Sequence, residues 1–299
     1  MALVPFDDRD GFIWMDGKLI PWREAKIHVL THGLHYASSV FEGVRAYGGN
    51  IFKLDEHSDR LIESGRILGF KVPYTRAQLN EACCEVLKAN NMKDAYLRPL
   101  AWRGSEQLSV SAQTTKIHVM VACWEWPNLF GADRMKGVRL GIADWRRPNP
   151  KTAPTASKAA GLYMIGTMSK HIAEEQGFND ALMYTWDGYV AEATGANIFF
   201  VKDGKLHTPI PDCFLDGITR QTVINLAKQR GIEVLVRHIK PEELADFKEA
   251  FLVGTAAEIT PVRQIGELAY APATITETLK ADYEALVMMT PDEVKKRGV

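Results

Sequence analysis

The sequence predicts a mixed α/β (α+β) chain built as two domains, and three observations carry the prediction. The chain has 299 residues, against roughly 100–200 for a single domain. Turn dipeptides between apolar runs mark antiparallel hairpins in both halves. Between the hairpins lie stretches in which apolar residues recur at helical spacing.

The elements follow in chain order. Asp16-Gly17 stands between 12–14 and 18–20, and Gly48-Gly49-Asn50 between 44–47 and 51–52. Asp187-Gly188 and Asp203-Gly204 repeat the pattern in the second half. Glycine, asparagine and aspartate reach positive φ at little cost, which two-residue hairpin turns demand. Residues 57–70 set Leu61, Ile62, Ile67 and Leu68 on a charged background. Residues 75–91 open on a threonine suited to capping and repeat Leu79, Cys83, Val86 and Leu87. Residues 219–230 carry Val223, Ile224, Leu226 and Ala227 and stop at Gly231, and 275–289 give a last amphipathic helix. A strand is expected over 117–124. After it, 126–137 holds Pro127 and two glycines with little apolar periodicity, and a new strand begins at Val138. The expected division is a small N-terminal α/β domain over 1–125, an interdomain loop over 126–137 and a large C-terminal domain over 138–299.

Composition narrows the function. Lys+Arg number 36 and Asp+Glu 37, a net charge of −1. That balance argues against a nucleic-acid partner, which selects for a basic excess. No apolar run approaches the ~20 residues of a membrane span, and the acidic N-terminal segment lacks the basic and apolar regions of a secretory signal. Cys83, Cys84, Cys123 and Cys213 show no metal-ligand spacing. Reduced, mostly buried thiols and a cytoplasmic location are expected. His28, His32 and His35 fall at i, i+4 and i+7, but no carboxylate stands at a matching offset. The segment reads as a strand or loop entering a turn, so hydrogen-bonded histidines and no metal are expected.

The chemistry lies mostly in the second half. The nucleotide patterns GxGxxG and GxxxxGK[ST] are absent, and so is the GxSxG of serine hydrolases. Lys158 sits in Ala156-Ser157-Lys158-Ala159-Ala160-Gly161, among small side chains after a proline-rich loop. Desolvation there would make its amine a nucleophile for a Schiff base. Gly217-Ile218-Thr219-Arg220 opens a helix, where backbone N–H groups favour a phosphate. Gly254-Thr255-Ala256-Ala257 follows a strand and presents amides and small side chains. Arg60 is a bidentate donor for the same phosphate, and Glu192 is a lone acid among small residues, suited to a pyridinium nitrogen. Each residue alone has a plain structural reading as a solvated lysine, a helix cap, a strand–loop junction or a salt bridge. Together they are the equipment of a pyridoxal-phosphate enzyme.

The chain resembles the branched-chain amino acid aminotransferases, within the D-amino-acid aminotransferase-like fold (fold type IV) of pyridoxal-phosphate enzymes. The resemblance runs over nearly the whole chain. It is carried by His32-Gly33-Leu34-His35-Tyr36, by Phe41-Glu42-Gly43-Val44-Arg45, by His57-Ser58-Asp59-Arg60-Leu61 and by Tyr96-Leu97-Arg98-Pro99. It continues through Lys158-Ala159-Ala160-Gly161-Leu162-Tyr163, Glu192-Ala193-Thr194-Gly195-Ala196-Asn197, Leu215-Asp216-Gly217-Ile218-Thr219-Arg220 and Gly254-Thr255-Ala256-Ala257. Four features depart from the family pattern: Leu108-Ser109-Val110 replaces a Met-Gly-Val stretch, the tyrosine common after the Trp126 region has no clear counterpart at Leu129 or Phe130, Asp216 stands where proline is common, and Ala196 replaces an acid.

Roles follow from the resemblance. Pyridoxal 5′-phosphate is the implied cofactor, with Lys158 as the residue that holds it covalently and moves the proton between Cα and C4′. Glu192 is implied to face the ring nitrogen, Tyr163 the ring hydroxyl and Leu215 the ring face. Arg60, Gly217, Ile218, Thr219, Gly254 and Thr255 would bind the phosphate. Tyr36, Phe41, Gly43, Tyr96, Arg98, Val110 and Ala256 would bind substrate, with Arg98 and Tyr36 taking the glutamate side-chain carboxylate. The expected partners are small-molecule amino acids and 2-oxo acids, with no nucleic acid and no membrane. A homodimer or higher homo-oligomer is implied, because the loop at Val110 would complete a neighbouring subunit's site. The implied reaction exchanges the amino group of leucine, isoleucine or valine with 2-oxoglutarate by ping-pong kinetics. Within the same fold the alternatives are a D-amino-acid or (R)-amine transaminase and an aminodeoxychorismate-type lyase, and Tyr96-Leu97-Arg98-Pro99 argues for the branched-chain group. A Schiff-base aldolase or a silent binding protein would leave the phosphate turns and Glu192 without purpose.

Overall fold

The computed structural model describes residues 4–126 and 136–299, so most of the expected interdomain loop, 126–137, lies outside the described residues. Contacts group the chain into two compact units. One comprises the residues up to Trp126 together with Ser157–Gly161, and the other comprises the remainder. The segment around Lys158 therefore belongs with the first unit, although it falls in sequence within 138–299.

In the first unit a seven-stranded sheet is built from β1 (Phe12–Met15), β2 (Lys18–Pro21), β3 (Ser39–Phe41), β4 (Val44–Tyr47), β5 (Asn50–Ile51), β6 (Ala95–Arg103) and β7 (Ile117–Trp124). Its order is β2-β1-β7-β6-β4-β5, with β3 also on β6. The β1–β2 turn places Asp16 at φ 49° and Gly17 at φ 95°, the doubly left-handed geometry of a two-residue hairpin. Strands β3 and β4 share one partner: Phe41 lies opposite Leu100, and Val44 opposite Leu97. Glu42 and Gly43 cross between them, and the Glu42 N–H donates to the Pro99 carbonyl at 2.8 Å.

Two long helices pack on this sheet, α2 (Leu54–Ile67) and α3 (Arg76–Ala89). Val40, Val44, Leu61, Leu79, Val86, Leu97, Val119 and Val121 share their core. Helix α3 starts on a reciprocal capping box between Thr75 and Gln78. Helix α2 lies three residues earlier than the 57–70 expected. It stops because Gly69, at φ 73°, turns the chain so that the Phe70 N–H bonds the Gly65 carbonyl and the Gly69 N–H the Arg66 carbonyl. The histidine segment also differs from expectation: His32–Tyr36 form a short helix, α1, rather than a strand or loop. Five residues are too few to leave a periodic signal.

The second unit holds a nine-stranded sheet, order β10-β9-β8-β15-β14-β11-β12-β13, with β16 on β15. The strands are β8 (Val138–Ile142), β9 (Asp180–Tyr184), β10 (Val190–Ala193), β11 (Asn197–Lys202), β12 (Lys205–Thr208), β13 (Val234–Val236), β14 (Glu249–Gly254), β15 (Glu258–Ile265) and β16 (Leu268–Ala269). Strand β8 runs parallel to both its neighbours, and β12 to β13. Strands β11 and β14 read as near-continuous apolar runs because they are buried along most of their length. The helices are α4 (Met164–Glu175), α5 (Ile218–Gln229), α6 (Thr274–Val287) and α7 (Pro291–Arg297). No helix among the described residues is long and apolar enough to cross a membrane.

Candidate active site

Lys158 is held by its backbone. Its N–H donates to Ser64 Oγ at 3.0 Å, and its carbonyl accepts from the Phe41 N–H at 3.1 Å. The neighbouring Ser157 Oγ donates to the Ser64 carbonyl at 3.0 Å, and Ala159 bridges to Val40. These bonds tie the segment to α2 and β3, which is why it belongs to the first unit. The side chain is half-buried, with Nζ 4.8 Å from the centre of the Phe41 ring.

Below it lies a buried polar cluster. Glu42 is 0% exposed and accepts from Arg60 Nε at 2.6 Å and Nη2 at 2.8 Å, and from His57 Nδ1 at 2.7 Å. Burial alone would raise the Glu42 carboxyl, but the Arg60 charge and the bonds from Arg60 and His57 hold it far below the usual carboxylate range. Burial likewise lowers the His57 imidazole, against the pull of Glu42. The neutral imidazole therefore donates from Nδ1 to an ionised carboxylate.

Strand β6 supplies the next wall. Tyr96 and Arg98 are two apart and share one face of the strand. Arg98 Nη2 donates to the Tyr96 hydroxyl at 3.2 Å. Its guanidinium lies 4.8 Å from the Phe41 ring centre, 5.4 Å from that of Tyr96 and 6.0 Å from that of Trp124. Tyr96 also stacks on Trp126 at 4.5 Å. Gly43 faces this group closely, since a Cβ there would overlap the Tyr96 hydroxyl. Tyr36 belongs to another cluster, around His32, which reaches the residue before Val110. The His32 ring stacks on Tyr36 at 4.6 Å, and its Nε2 meets the Ser109 carbonyl at 2.9 Å. Val110 is 88% exposed.

The second unit assembles a different set. Between β9 and β10 the register passes from Val190 opposite Tyr184 to Ala193 opposite Leu182, so β10 carries one extra residue. Such a bulge re-aims a side chain, and Glu192 lies within it. The Glu192 carboxylate is buried, with Oε1 3.0 Å from Arg147 Nη2 and Oε2 accepting from Asn197 Nδ2 at 2.9 Å. The same Asn197 nitrogen donates to the Leu215 carbonyl at 3.0 Å. Gly217 is the residue before α5, and no side chain caps that end. A Cβ on Gly217 would overlap Asn197 Oδ1. Ile218 and Thr219 form the first turn, where unpaired N–H groups and the helix dipole favour an anion. The adjacent Asp216 does not compete for them, because its carboxylate takes Arg220 Nη1 at 2.7 Å and Gln221 Nε2 at 2.7 and 2.8 Å. Gly254 ends β14, and Thr255 and Ala256 form the turn into β15, all half-buried. Tyr163 is half-buried at the start of α4.

Arg147 and Asn197, together with the partner roles of Glu42, His57 and Ser64, were not legible in the sequence. Glu42 carried a faint signal, as an acid between apolar strand residues. Arg147 carried none, because Trp145-Arg146-Arg147-Pro148 reads as a charged loop.

The chain is similar to known proteins over most of its length. A family model for class IV amino-transferases matches residues 39–265. A protein of Rickettsia conorii named as a probable branched-chain-amino-acid aminotransferase is 42% identical over 292 residues, covering 96% of this chain and 99% of its own. The structure of a branched-chain aminotransferase from Thermoproteus uzoniensis with norvaline is similar at a TM-score of 0.91 and 37% identity, covering 96% of this chain and 97% of that one. The structure of a branched-chain amino acid aminotransferase from Thermobaculum terrenum in its PLP form gives a TM-score of 0.86 at 30% identity, again covering 96% of this chain and 97% of that one.

Proposed function

Because the chain belongs to the class IV aminotransferases, in the branched-chain amino acid aminotransferase family, we propose that it exchanges the amino group of leucine, isoleucine or valine with 2-oxoglutarate by ping-pong kinetics. Class IV aminotransferases are pyridoxal 5′-phosphate enzymes, and the groups described above fit that cofactor. An α5 start with no side-chain cap and no room for a Cβ suits a phosphate. A buried carboxylate suits a ring N–H. When bound, pyridoxal phosphate supplies an aldehyde that takes up the amino group and a ring that accepts the electron pair left at Cα.

The residues then divide the work as follows. Lys158 would hold the cofactor through its amine until the substrate amino group displaces it, and the freed Nζ would then take the proton from substrate Cα and return it at C4′. Glu192 accepts the hydrogen bond of the ring N–H and keeps that proton in place. Tyr163 donates to the ring hydroxyl, and Leu215 packs on the ring face. Arg60, Gly217, Ile218, Thr219, Gly254 and Thr255 bind the phosphate. Tyr96 and Ala256 receive the substrate α-carboxylate, and Phe41 and Gly43 shape the side-chain pocket. Tyr36 and Val110 complete the substrate pocket of a second copy, in a homodimer or larger assembly located in the cytoplasm.

One observation carries the branched-chain reading: Arg98 lies among the rings of Phe41, Tyr96 and Trp124. A wall of rings suits an aliphatic side chain, and a single cation set into it suits the glutamate carboxylate, so one pocket serves both half-reactions. The test is spectroscopic. The purified protein is expected to be yellow, to change colour with L-leucine and to recover with 2-oxoglutarate. A protein loaded with pyridoxal phosphate that responds to D-amino acids or simple amines, and not to L-leucine, would overturn the substrate assignment.

A further inference from the structure

We infer that Arg147 is a positioning residue: it fixes the Glu192 carboxylate and keeps the proton shared by Glu192 and the cofactor's ring nitrogen on the nitrogen. The inference rests on the reading of Glu192 given above, and it concerns a residue to which that reading assigns no role.

The geometry is that of an anchor. Arg147 is 6% exposed. Its Nη2 lies 3.0 Å from Glu192 Oε1 and also donates to the carbonyls of Ala193 at 3.2 Å and Thr194 at 3.0 Å. One guanidinium therefore holds both the Glu192 side chain and the backbone just after it, where β10 bulges. Arg147 is itself fixed at the other end, since its N–H donates to the Tyr184 carbonyl at 2.8 Å and its backbone bridges to Thr185. Strand β9 thus sets the position of the guanidinium, and the guanidinium sets the position of the carboxylate.

The charge matters as much as the contacts. A carboxylate this deeply buried, with no cation beside it, favours its protonated form. A protonated Glu192 would donate a hydrogen bond to a neutral ring nitrogen, and the ring would then be a poorer acceptor of electrons. Asn197 orients Oε2 but brings no net charge. Arg220 feels the charge of Glu192, but its guanidinium is committed to Asp216, Thr208 and Pro209. Arg147 is a cation in direct contact, and a full charge at 3.0 Å lowers the affinity of Glu192 for a proton.

The experiment uses holoenzyme reconstituted with pyridoxal phosphate labelled with nitrogen-15 in the ring, whose resonance separates a protonated from a neutral nitrogen. Wild type is expected to show the protonated nitrogen. Arg147→Gln is expected to move the resonance to the neutral position and to lower kcat by about 10–100-fold, the scale on which outer partners of bound groups act. Arg147→Lys keeps the charge while reaching fewer acceptors, and is expected to retain the protonated resonance with weaker cofactor binding. A protonated nitrogen in fully loaded Arg147→Gln overturns the inference. Should that variant not fold, Arg147→Lys decides, since a neutral nitrogen there overturns it as well. Glu192→Gln separates the two levels: if it leaves the nitrogen protonated, the reading of Glu192 fails, and if it does not while Arg147→Gln does, the Arg147 inference alone fails.

Discussion

Arg60 closes on Glu42 through two parallel bonds, Nε to Oε1 at 2.6 Å and Nη2 to Oε2 at 2.8 Å, at a carboxylate with no solvent exposure. The arrangement orients the guanidinium proposed to meet the cofactor phosphate, and it ties the crossing between β3 and β4 to α2. Arginine suits the task because its planar fork matches a carboxylate edge. Lysine would offer one donor direction and lose the register.

Glu42→Gln is expected to destabilise the protein by about 3 kcal/mol, because a buried cation loses its counter-charge. Acid unfolding should reveal the same pair. The Glu42 carboxyl is held low in the folded state, so its stabilisation is complete above the unfolded value near pH ~4.3 and is lost as pH falls toward the folded value. His57, also lowered, is protonated more readily when unfolded, so it begins to cost stability below about pH 6.5. Both act in the same direction on acidification. Denaturant titrations across that range should show wild type losing more stability than Glu42→Gln below about pH 4.3. Parallel curves would remove Glu42 from the account.

How far the sequence foretold these features depends on whether the cause is local. The hairpins at Asp16-Gly17 and Asp203-Gly204 were legible because a positive φ selects the residue types at the turn itself. Helix α3 was legible because Thr75 and Gln78 cap it within four residues. Helix α2 was misplaced at its start because Lys53, in the left-handed region with no capping bond, resembles no common N-cap. In the site, Gly217 stood out because a helix start of that composition has a recognisable purpose. Its reason for being glycine lies in Asn197, which reaches it only through the sheet. Asp216 looked like a loss of a useful proline, and the structure gives it a use as the partner of Arg220.

Gly43→Ala is expected to disturb substrate binding more than cofactor binding. An added Cβ overlaps the Tyr96 hydroxyl, so Tyr96 must move, and its bond from Arg98 at 3.2 Å moves with it. Overpacking of this kind costs about 1–3 kcal/mol, which sets an upper range of roughly 5–150-fold for the rise in KM for L-leucine. Cofactor affinity measured by equilibrium dialysis should change little. A variant with wild-type KM would mean that the Tyr96 hydroxyl does not bear on the substrate.

Arg98→Ala is expected to separate the two half-reactions. Leucine brings an aliphatic side chain to the pocket and loses only packing against the arginine stem. Glutamate loses a charge-assisted hydrogen bond worth about 1.5–3 kcal/mol, or roughly 10–150-fold. Single-turnover rates with each amino donor measure the difference directly. Equal losses for both donors would sink the proposal that one pocket serves both through Arg98.

Gly217→Ala tests the second unit, and its effect should travel through Asn197. The new methyl would occupy the position of Asn197 Oδ1, and Asn197 is the residue whose amide holds both Glu192 Oε2 and the Leu215 carbonyl. Displacing it loosens the carboxylate, the loop that carries Leu215 and the start of α5 at once. The fold itself should survive, because Ile198 and Phe200 of the sheet core alternate with Asn197 along β11 and so lie on its other face. Cofactor affinity is therefore expected to fall by about 10–100-fold, with a melting temperature of the cofactor-free protein within roughly 5 °C of wild type. Asn197→Ala in the Gly217→Ala background provides the control. If the overlap is the cause, removing the amide should make room for the methyl, so the double variant should bind cofactor no more weakly than Asn197→Ala alone. An additive loss in the double variant would show that glycine at 217 serves the phosphate directly, by close approach of the backbone, and not through Asn197.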